Sequence, residues 1–402
     1  MKVLIINLRI GSGSVGRIVS DLYRGVILSG NECKVAYARG GIADIPEEDT
    51  YKICSKQEVV LHAGLTRAIG NTAFFFGKST QKFCDWIKEY NPDVIHLHGV
   101  YGYYLNMEVL FKNLAIMEAT VISTLHSCWD FTGHCCYFDY SGCEQWKTGC
   151  KKCSCKSSYP ASSILDNTAK NYRKKREAYG CLERGVIVAP SRWMAQYVKQ
   201  SFLGSMETHV IHNGIDLNTF KPTLTSSSMI DMSKPSILCV ANIWERRKGW
   251  KDVVELSYLL DDSVQLVVVG VSEKQKKELS DKTISITRTE SKEELAELYS
   301  TATVFFNPTY EDNYPTVNLE AAACHTPIVT YNTGGSPEVF DYGEWGMVLS
   351  KRDYDTLVEY TKKVHSGEIV FDFNETESIS REWMVEKYLE LYKSKTKNVI
   401  YE

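Results

Sequence analysis

Short runs of β-branched and aliphatic residues alternate along the whole chain with stretches whose apolar positions recur every three or four residues. The two periods separate strand from helix. In the first half they predict strands at 3–7, 34–37, 93–97, 121–124, 185–189 and 210–211, with helices at 15–28, 80–90, 107–118 and 193–201. A polar stretch at 221–236, holding two prolines and five serines, interrupts the pattern and reads as a linker. Beyond it the alternation resumes, with strands at 237–240, 265–269, 304–306 and 328–331 and helices at 250–260, 292–300 and 317–324. An amphipathic helix at 379–397 closes the chain. Strand-helix-strand order predicts parallel sheets covered on both faces. Ligands of such sheets bind at the carboxyl ends of the strands, so the chemistry is sought in the loops that follow them.

Composition and charge add further constraints. A chain of 402 residues, 44% of them apolar, has enough material for two buried cores. A net charge of −4 excludes a nucleic-acid binder working by bulk charge. Its distribution is uneven: residues 1–216 carry 25 Lys+Arg against 20 Asp+Glu, and residues 217–402 carry 21 against 30, which predicts domains with different ligands. No apolar run approaches the ~18 residues of a membrane span, and the first apolar run breaks at Asn7 and Arg9 before reaching signal-peptide length, so a cytoplasmic chain is expected. Seven of the 13 cysteines fall between Cys128 and Cys155. An odd total without a signal peptide argues against a disulfide framework.

After the first strand comes Gly11-Ser12-Gly13-Ser14-Val15-Gly16-Arg17, which matches G-x-G-x-x-G and opens a helix. Dinucleotide sites use this pattern. Here Arg9 and Ile10 separate it from the strand, and the second strand region ends at Arg39 where a ribose-binding acid would stand. An anion-binding helix N-terminus is the preferred reading, and a ligand-free tight turn the alternative. The strongest motif occupies 307–324, where a strand ends, an acidic loop follows and a helix starts near Pro315 or Thr316. Proline and threonine suit a helix N-terminus, so the amides of Thr316, Val317 and Asn318 are expected to point outward and attract phosphate. Glu320 lies four residues from Thr316 on about the same face, within reach of ribose hydroxyls. The loop after 237–240 holds Arg246, Arg247 and Lys248 before Gly249, three cations suited to a diphosphate. The plain alternative for these charged residues is a solvated face.

Together these motifs carry a resemblance over nearly the whole length. The chain resembles the retaining glycosyltransferases of family four, which implies an α/β GT-B fold of two Rossmann-like parallel-sheet domains facing a central cleft. The resemblance implies an acceptor-side domain at 1–215 with a cysteine-rich insert at about 128–155, a nucleotide-sugar-binding domain at 216–378, and a C-terminal helix at 379–402 returning to the first domain. The family's Glu-x7-Glu motif resembles Asp312 to Glu320, with aspartate as the first acid; Glu311 or Asp312 is then assigned to the donor sugar and Glu320 to the ribose. Arg247 and Lys248 resemble the cations that clasp the donor diphosphate, with Asn242 where the usual arginine stands. Gly13 to Arg17 resembles the family's glycine loop, 93–98 its third-strand signature, 211–216 its domain-joining segment, and Gly334-Gly335-Ser336-Pro337-Glu338 a donor-facing loop.

His126 follows a strand and is expected in the cleft, where the resemblance implies contact with the donor sugar; a packed core histidine is the alternative. His96 and His98 share a strand face, and His98, nearer the end, joins Arg17 as an acceptor-side candidate. Cys150 and Cys153 have the spacing of a metal knuckle, which Cys135 and Cys143 would complete as a four-thiolate structural zinc site. Free thiols and disulfides are the alternatives. The insert is similar to one in capsule- and exopolysaccharide-assembling transferases, which implies a structural or acceptor-facing role.

The expected reaction moves a sugar from a UDP- or GDP-sugar donor to a hydroxyl of a glycan or lipid-linked saccharide in surface polysaccharide assembly, with retention of configuration. Fixed cations and helix amides would stabilise the departing phosphate, so no catalytic cofactor is expected. Asp353-Tyr354-Asp355 lies outside the motifs and is not read as a metal site. Rival readings are a sugar-nucleotide epimerase of the same fold, a nicotinamide oxidoreductase and a zinc-binding interaction protein. Lys170, Arg173, Lys174, Lys175 and Arg176, on a predicted helix, point to an anionic membrane surface at the cytoplasmic face, with a solvated helix as the alternative.

Overall fold

The computed structural model describes residues 1–40 and 45–397, and the chain divides into two compact units. Met1–His212 forms the first together with residues from Met384 onward, and Asn213–Trp383 forms the second. Residues 398–402 of the predicted C-terminal segment lie outside the described residues.

The first unit is built on a seven-stranded sheet in the order Thr50–Lys52, Glu32–Tyr37, Lys2–Asn7, Val94–His98, Thr120–Thr124, Gly185–Ala189, Glu207–Val210. All its pairings are parallel. Lys2–Asn7 is an interior strand, with Ile5 opposite Val35 on one side and His96 on the other. Its residues Val3 to Ile6 have no exposed surface, because both sheet faces are covered. Val3 and Ile5 meet Ile18 and Leu22 of the Gly13–Leu28 helix together with Met384 and Tyr388 of the last helix. Leu4 and Ile6 face the other way, toward Phe83, Leu110 and Phe111. Burying each such side chain contributes about 1.5–3 kcal/mol.

The second unit repeats the plan with six parallel strands: Ile284–Ile286, Gln265–Val269, Ser236–Val240, Val304–Asn307, Ile328–Tyr331, Gly346–Leu349. In each sheet the first strand in sequence sits between the second and the fourth. That is the doubly wound Rossmann order, which opens a crevice where the winding reverses.

One sequence expectation needs correction. The polar stretch at 221–236 is no linker, since the second unit already starts at Asn213. It runs along that unit, with Ile230 in the core and the Ser227 amide donating to Thr301 Oγ1 at 2.9 Å. The insert at 128–155 is a chain of short turns around Phe131, Phe138 and Trp146, with Phe138 stacked on Trp146 at 4.8 Å between centroids. Among the described residues no helix is long and apolar enough to cross a membrane.

Candidate active site

At the reversal point of the second sheet, Ser236–Val240 lies beside Val304–Asn307, and their following loops carry the cations and acids of the sequence motifs. The loops are joined by backbone. Tyr310 N–H donates to the Arg247 carbonyl at 2.8 Å. Gly249, at φ +79°, lies so close that a Cβ would stand 2.2 Å from the Pro308 oxygen, an approach only glycine permits. A third loop closes on the same place: the Gly335 amide donates to the Asp312 carbonyl at 2.9 Å, and a Cβ on Gly334 would meet that oxygen at 2.1 Å. The Thr333 hydroxyl donates to the Thr309 carbonyl at 2.5 Å.

This scaffold brings Arg247, Lys248 and Asp312 together. Lys248 donates to Asp312 Oδ2, and Arg247 Nη1 lies 3.9 Å from the same oxygen while donating to the Glu311 carbonyl at 2.5 Å. Burial by itself would raise the Asp312 carboxyl; Lys248 and Arg247 reverse this and hold it below the usual carboxylate range. The cations read from sequence as a phosphate cradle are therefore already held in place by an acid. Glu311 is fully buried, whereas Asp312 keeps part of its surface exposed.

Thr316–Ala323 is a helix with Pro315 at its N-cap and no side-chain cap. Among the described residues the Thr316 and Val317 amides find no acceptor, as expected of an uncapped end. Asn318 corrects the sequence reading: its amide donates to the Pro315 carbonyl at 3.1 Å, and its buried side chain links Asn307 at 2.8 Å to the Ser336 carbonyl at 3.0 Å. It braces three loops and has no amide to spare. Glu320, on the buried side of this helix, accepts from Tyr299 Oη at 3.1 Å, a partner that sequence spacing gave no hint of.

In the first unit the Gly13–Leu28 helix starts at Gly13, with φ +74°, and its Ser12 cap makes no side-chain bond. Arg9–Ile10 pairs with Arg39–Gly40 as a small two-stranded ladder, which explains why the glycine loop stands off from the main strand. Arg17 is exposed at the start of the second turn. His126 is half-buried, and its Nε2 meets His98 Nδ1 at 2.9 Å. His98 has no exposed surface, being enclosed between His126 and His96, so it backs His126 instead of facing an acceptor.

The cysteines group differently from the predicted set. Cys135 lies beside Cys153 and Cys155, and Cys150 Sγ accepts the Gly133 amide at 3.2 Å. These sulfur contacts push the Cys135 thiol up and draw Cys155 down to about 5. Among the described residues no three of the sulfurs lie within 4.8 Å of one another, and Cys155, absent from the predicted set, takes a place beside Cys135. Asp353 caps the Tyr354–His365 helix by accepting from the Thr356 amide, a structural use of the Asp-x-Asp.

The predicted membrane-facing cluster is also divided. Lys175 is wholly buried and Lys174 pairs with Glu108 at 2.5 Å, leaving Lys170, Arg173 and Arg176 exposed on the Thr168–Gly180 helix.

Comparison with known proteins gives this geometry its setting. Residues 15–219 match the model for Glycosyltransferase Family 4, and residues 221–380 that for Glycosyl transferases group 1. A protein of Escherichia coli assigned as the colanic acid biosynthesis glycosyl transferase WcaC is 24% identical over 423 residues, covering 98% of this chain and 100% of that one. Among solved structures, sucrose-phosphate synthase from Thermosynechococcus elongatus superposes with a TM-score of 0.68 at 15% identity over 98% of both chains. HepE from Anabaena, solved with UDP and glucose, gives 0.61 at 14% identity over 98% of this chain and 100% of its own. These likenesses establish the GT-B fold. With the family-4 match alone spanning just over half of its length, the chain belongs to glycosyltransferase family 4 and is a glycosyltransferase.

Proposed function

We propose that this enzyme transfers a sugar, with retention, from a UDP- or GDP-sugar to a hydroxyl of a glycan or lipid-linked saccharide during surface polysaccharide assembly. The observation that carries the reading is the joining of Lys248, Arg247 and Asp312 by three interlocked strand-end loops of one sheet. Lys248, Arg247 and the Thr316 and Val317 amides would face the diphosphate, and the helix end would stabilise the negative charge that grows on the leaving phosphate. Asp312 would orient the cations and meet the sugar hydroxyls, since Glu311 is the more deeply buried of the two acids. Gly13, Arg17 and His126 would serve the donor and acceptor from the first unit. The acceptor's nature follows the colanic acid name of the relative in Escherichia coli. A panel of nucleotide sugars offered with a lipid-linked acceptor, read by product mass, tests this. Nucleotide release that does not depend on an acceptor would favour an epimerase or hydrolase instead.

Glu320 would hold the ribose. Glu320→Gln replaces a charged acceptor that Tyr299 already orients by an amide with fewer lone pairs. Nucleotide affinity is expected to fall about 10-fold, the size of one charge-assisted hydrogen bond. Unchanged affinity in calorimetry would remove Glu320 from the ribose site.

For the insert we propose a structural zinc held by Cys135, Cys143, Cys150 and Cys153, whose sulfurs would have to close around the ion, since among the described residues no three of them lie within 4.8 Å of one another. Elemental analysis should find about one zinc per chain after purification without added metal. Active protein free of metal would end that reading and leave free thiols. We also propose peripheral contact with anionic lipid at the cytoplasmic membrane face. Only Lys170, Arg173 and Arg176 remain for it, at about 1 kcal/mol each, so binding should be weak. Vesicle co-sedimentation should detect it at low salt on anionic vesicles only, and equal recovery on neutral vesicles would dismiss it.

A further inference from the structure

Behind His126 lies a chain of buried hydrogen-bonding groups that the proposed reaction does not use. His126 Nε2 meets His98 Nδ1 at 2.9 Å, His98 Nε2 meets His96 Nδ1 at 3.2 Å, and His96 Nδ1 also meets Tyr392 Oη at 2.6 Å. On its far side His96 Nε2 meets Thr124 Oγ1 at 2.7 Å, and that hydroxyl contacts Tyr388 Oη at 3.0 Å. Every member belongs to the first unit, and His96, His98, Tyr392 and Tyr388 are completely or almost completely enclosed.

The direction of this chain follows from one group. Burial keeps the Tyr392 phenol protonated, and among the described residues its hydroxyl has a single acceptor within reach, His96 Nδ1. A buried O–H left without an acceptor is costly, so Tyr392 donates and His96 Nδ1 carries the lone pair. Burial holds all three imidazoles neutral, with His96 and His98 well below the ordinary histidine range and His126 at about 4. A neutral imidazole has one proton, so that of His96 is on Nε2 and is donated to Thr124. His98 Nε2 lies 3.2 Å from the same nitrogen, whose single lone pair Tyr392 already takes; because His96 Nδ1 has no hydrogen to give, the contact is attractive only with the hydrogen on His98 Nε2 as a second, longer donor, which leaves a lone pair on His98 Nδ1. His126 must in turn bear its hydrogen on Nε2. Its Nδ1, for which no partner is found among the described residues, is left with a lone pair.

We propose that Tyr392, His96 and His98 act as positioning residues that lock His126 in the Nε2–H tautomer, so that it offers its ligand a hydrogen-bond acceptor at Nδ1. The ligand group this selects is a neutral O–H donor such as a sugar hydroxyl; a phosphate or carboxylate oxygen would meet a lone pair. Only the identity of that ligand rests on the glycosyltransferase reading. The C-terminal helix thereby reaches the site through three hydrogen bonds, without touching substrate.

The test is a long-range proton–nitrogen correlation spectrum of the full chain labelled with ¹⁵N-histidine, the His126 signals being assigned by their loss in His126→Gln. The expected result is Nε2–H with an unprotonated Nδ1, and the Nδ1–H form at His126 would overturn the proposal. Tyr392→Phe removes the one obligatory donor, so His126 should then populate both tautomers. Tyr388→Phe leaves that donor in place and should keep the wild-type form. A folded Tyr392→Phe protein that retains pure Nε2–H overturns the relay; if that variant does not fold, the wild-type tautomer alone decides. In turnover assays Tyr392→Phe should raise the donor KM about 5-fold, the share of one neutral hydrogen bond, with kcat little changed. A tautomer that shifts while KM stays constant would retain the relay but remove the sugar from Nδ1, separating this inference from the functional reading.

Discussion

Lys248→Ala is expected to lower turnover about 100-fold or more, the usual loss when one fixed donor to developing negative charge is removed. Charge grows on the leaving phosphate only as the glycosidic bond breaks, so a preset ammonium stabilises the transition state more than the bound donor. Lys248 is preset here by Asp312, itself braced by Gly335 through its carbonyl and by the Asn313 amide at 2.9 Å. The fold should lose about 1 kcal/mol or less, because the lysine side chain is 23% exposed and Asp312 keeps Arg247 within 3.9 Å. The measurement pairs single-turnover rates with urea midpoints. Turnover within threefold of wild type would remove Lys248 from the chemistry, and an equally large fall in stability would reassign it to folding. Asp312→Asn should also slow turnover, by freeing the lysine from its fixed position.

The parts of the enzyme that were legible in the sequence are those specified within a few residues. Buried parallel strands such as Lys2–Asn7 and Ser236–Val240 appear as unbroken apolar runs, and the eight-residue step from Asp312 to Glu320 marks an acid on the loop and another on the helix it opens. The edge strands Thr50–Lys52 and Ile284–Ile286 were missed because three residues do not establish a period. The Lys56–Ile69 helix carried its start signal openly. Ser55 and Glu58 form a capping box, but the apolar face it begins is weak. Asp353 is a similar signal, since the Asp-x-Asp that it opens is a helix cap.

Pairings between distant segments were not legible. Nothing near Lys248 announces Asp312, and nothing near Glu320 announces Tyr299, since sheet topology brings them together. Asn318 shows the converse error. Its position on the first turn predicted a free amide, but a tight local bond to Pro315 uses that amide and the side chain is spent tying loops. His98 was placed on the correct face of its strand by its spacing from His96, yet how far that face is enclosed depended on the last helix, about 290 residues later. The cluster at 170–176 reads as one patch of charge in sequence, but helix geometry turns one of its members into the core.

That member, Lys175, carries the largest expected effect on stability. Its ammonium has no exposed surface, lies 3.2 Å from the centre of the Trp129 ring, and donates to the Trp129 and Thr132 carbonyls at 2.5 and 2.9 Å. It thereby supports the turn that follows His126, where Asp130 accepts from Tyr179 Oη at 2.8 Å. Lys175→Ala would strand two carbonyls, leave Asp130 without its cationic neighbour and open a cavity under the indole, so a loss of about 3–5 kcal/mol is expected. Lys175→Met restores the volume but not the hydrogen bonds and should recover part of that loss. The pH dependence has a sign of its own. Burial pulls Lys175 down to about 7, so between pH 7 and about 10 the unfolded chain holds a proton that the folded chain has released, and wild-type stability should rise with pH through that window. Burial raises Asp130 to about 6; the folded chain holds the extra proton between about pH 4 and 6, and stability falls as pH rises there. Urea unfolding at pH 7 and pH 9 compares wild type with Lys175→Met, which lacks the titrating amine and should lose the alkaline rise. An alanine variant within about 1 kcal/mol of wild type, or a methionine variant that keeps the full rise, would show that Lys175 does not hold this turn.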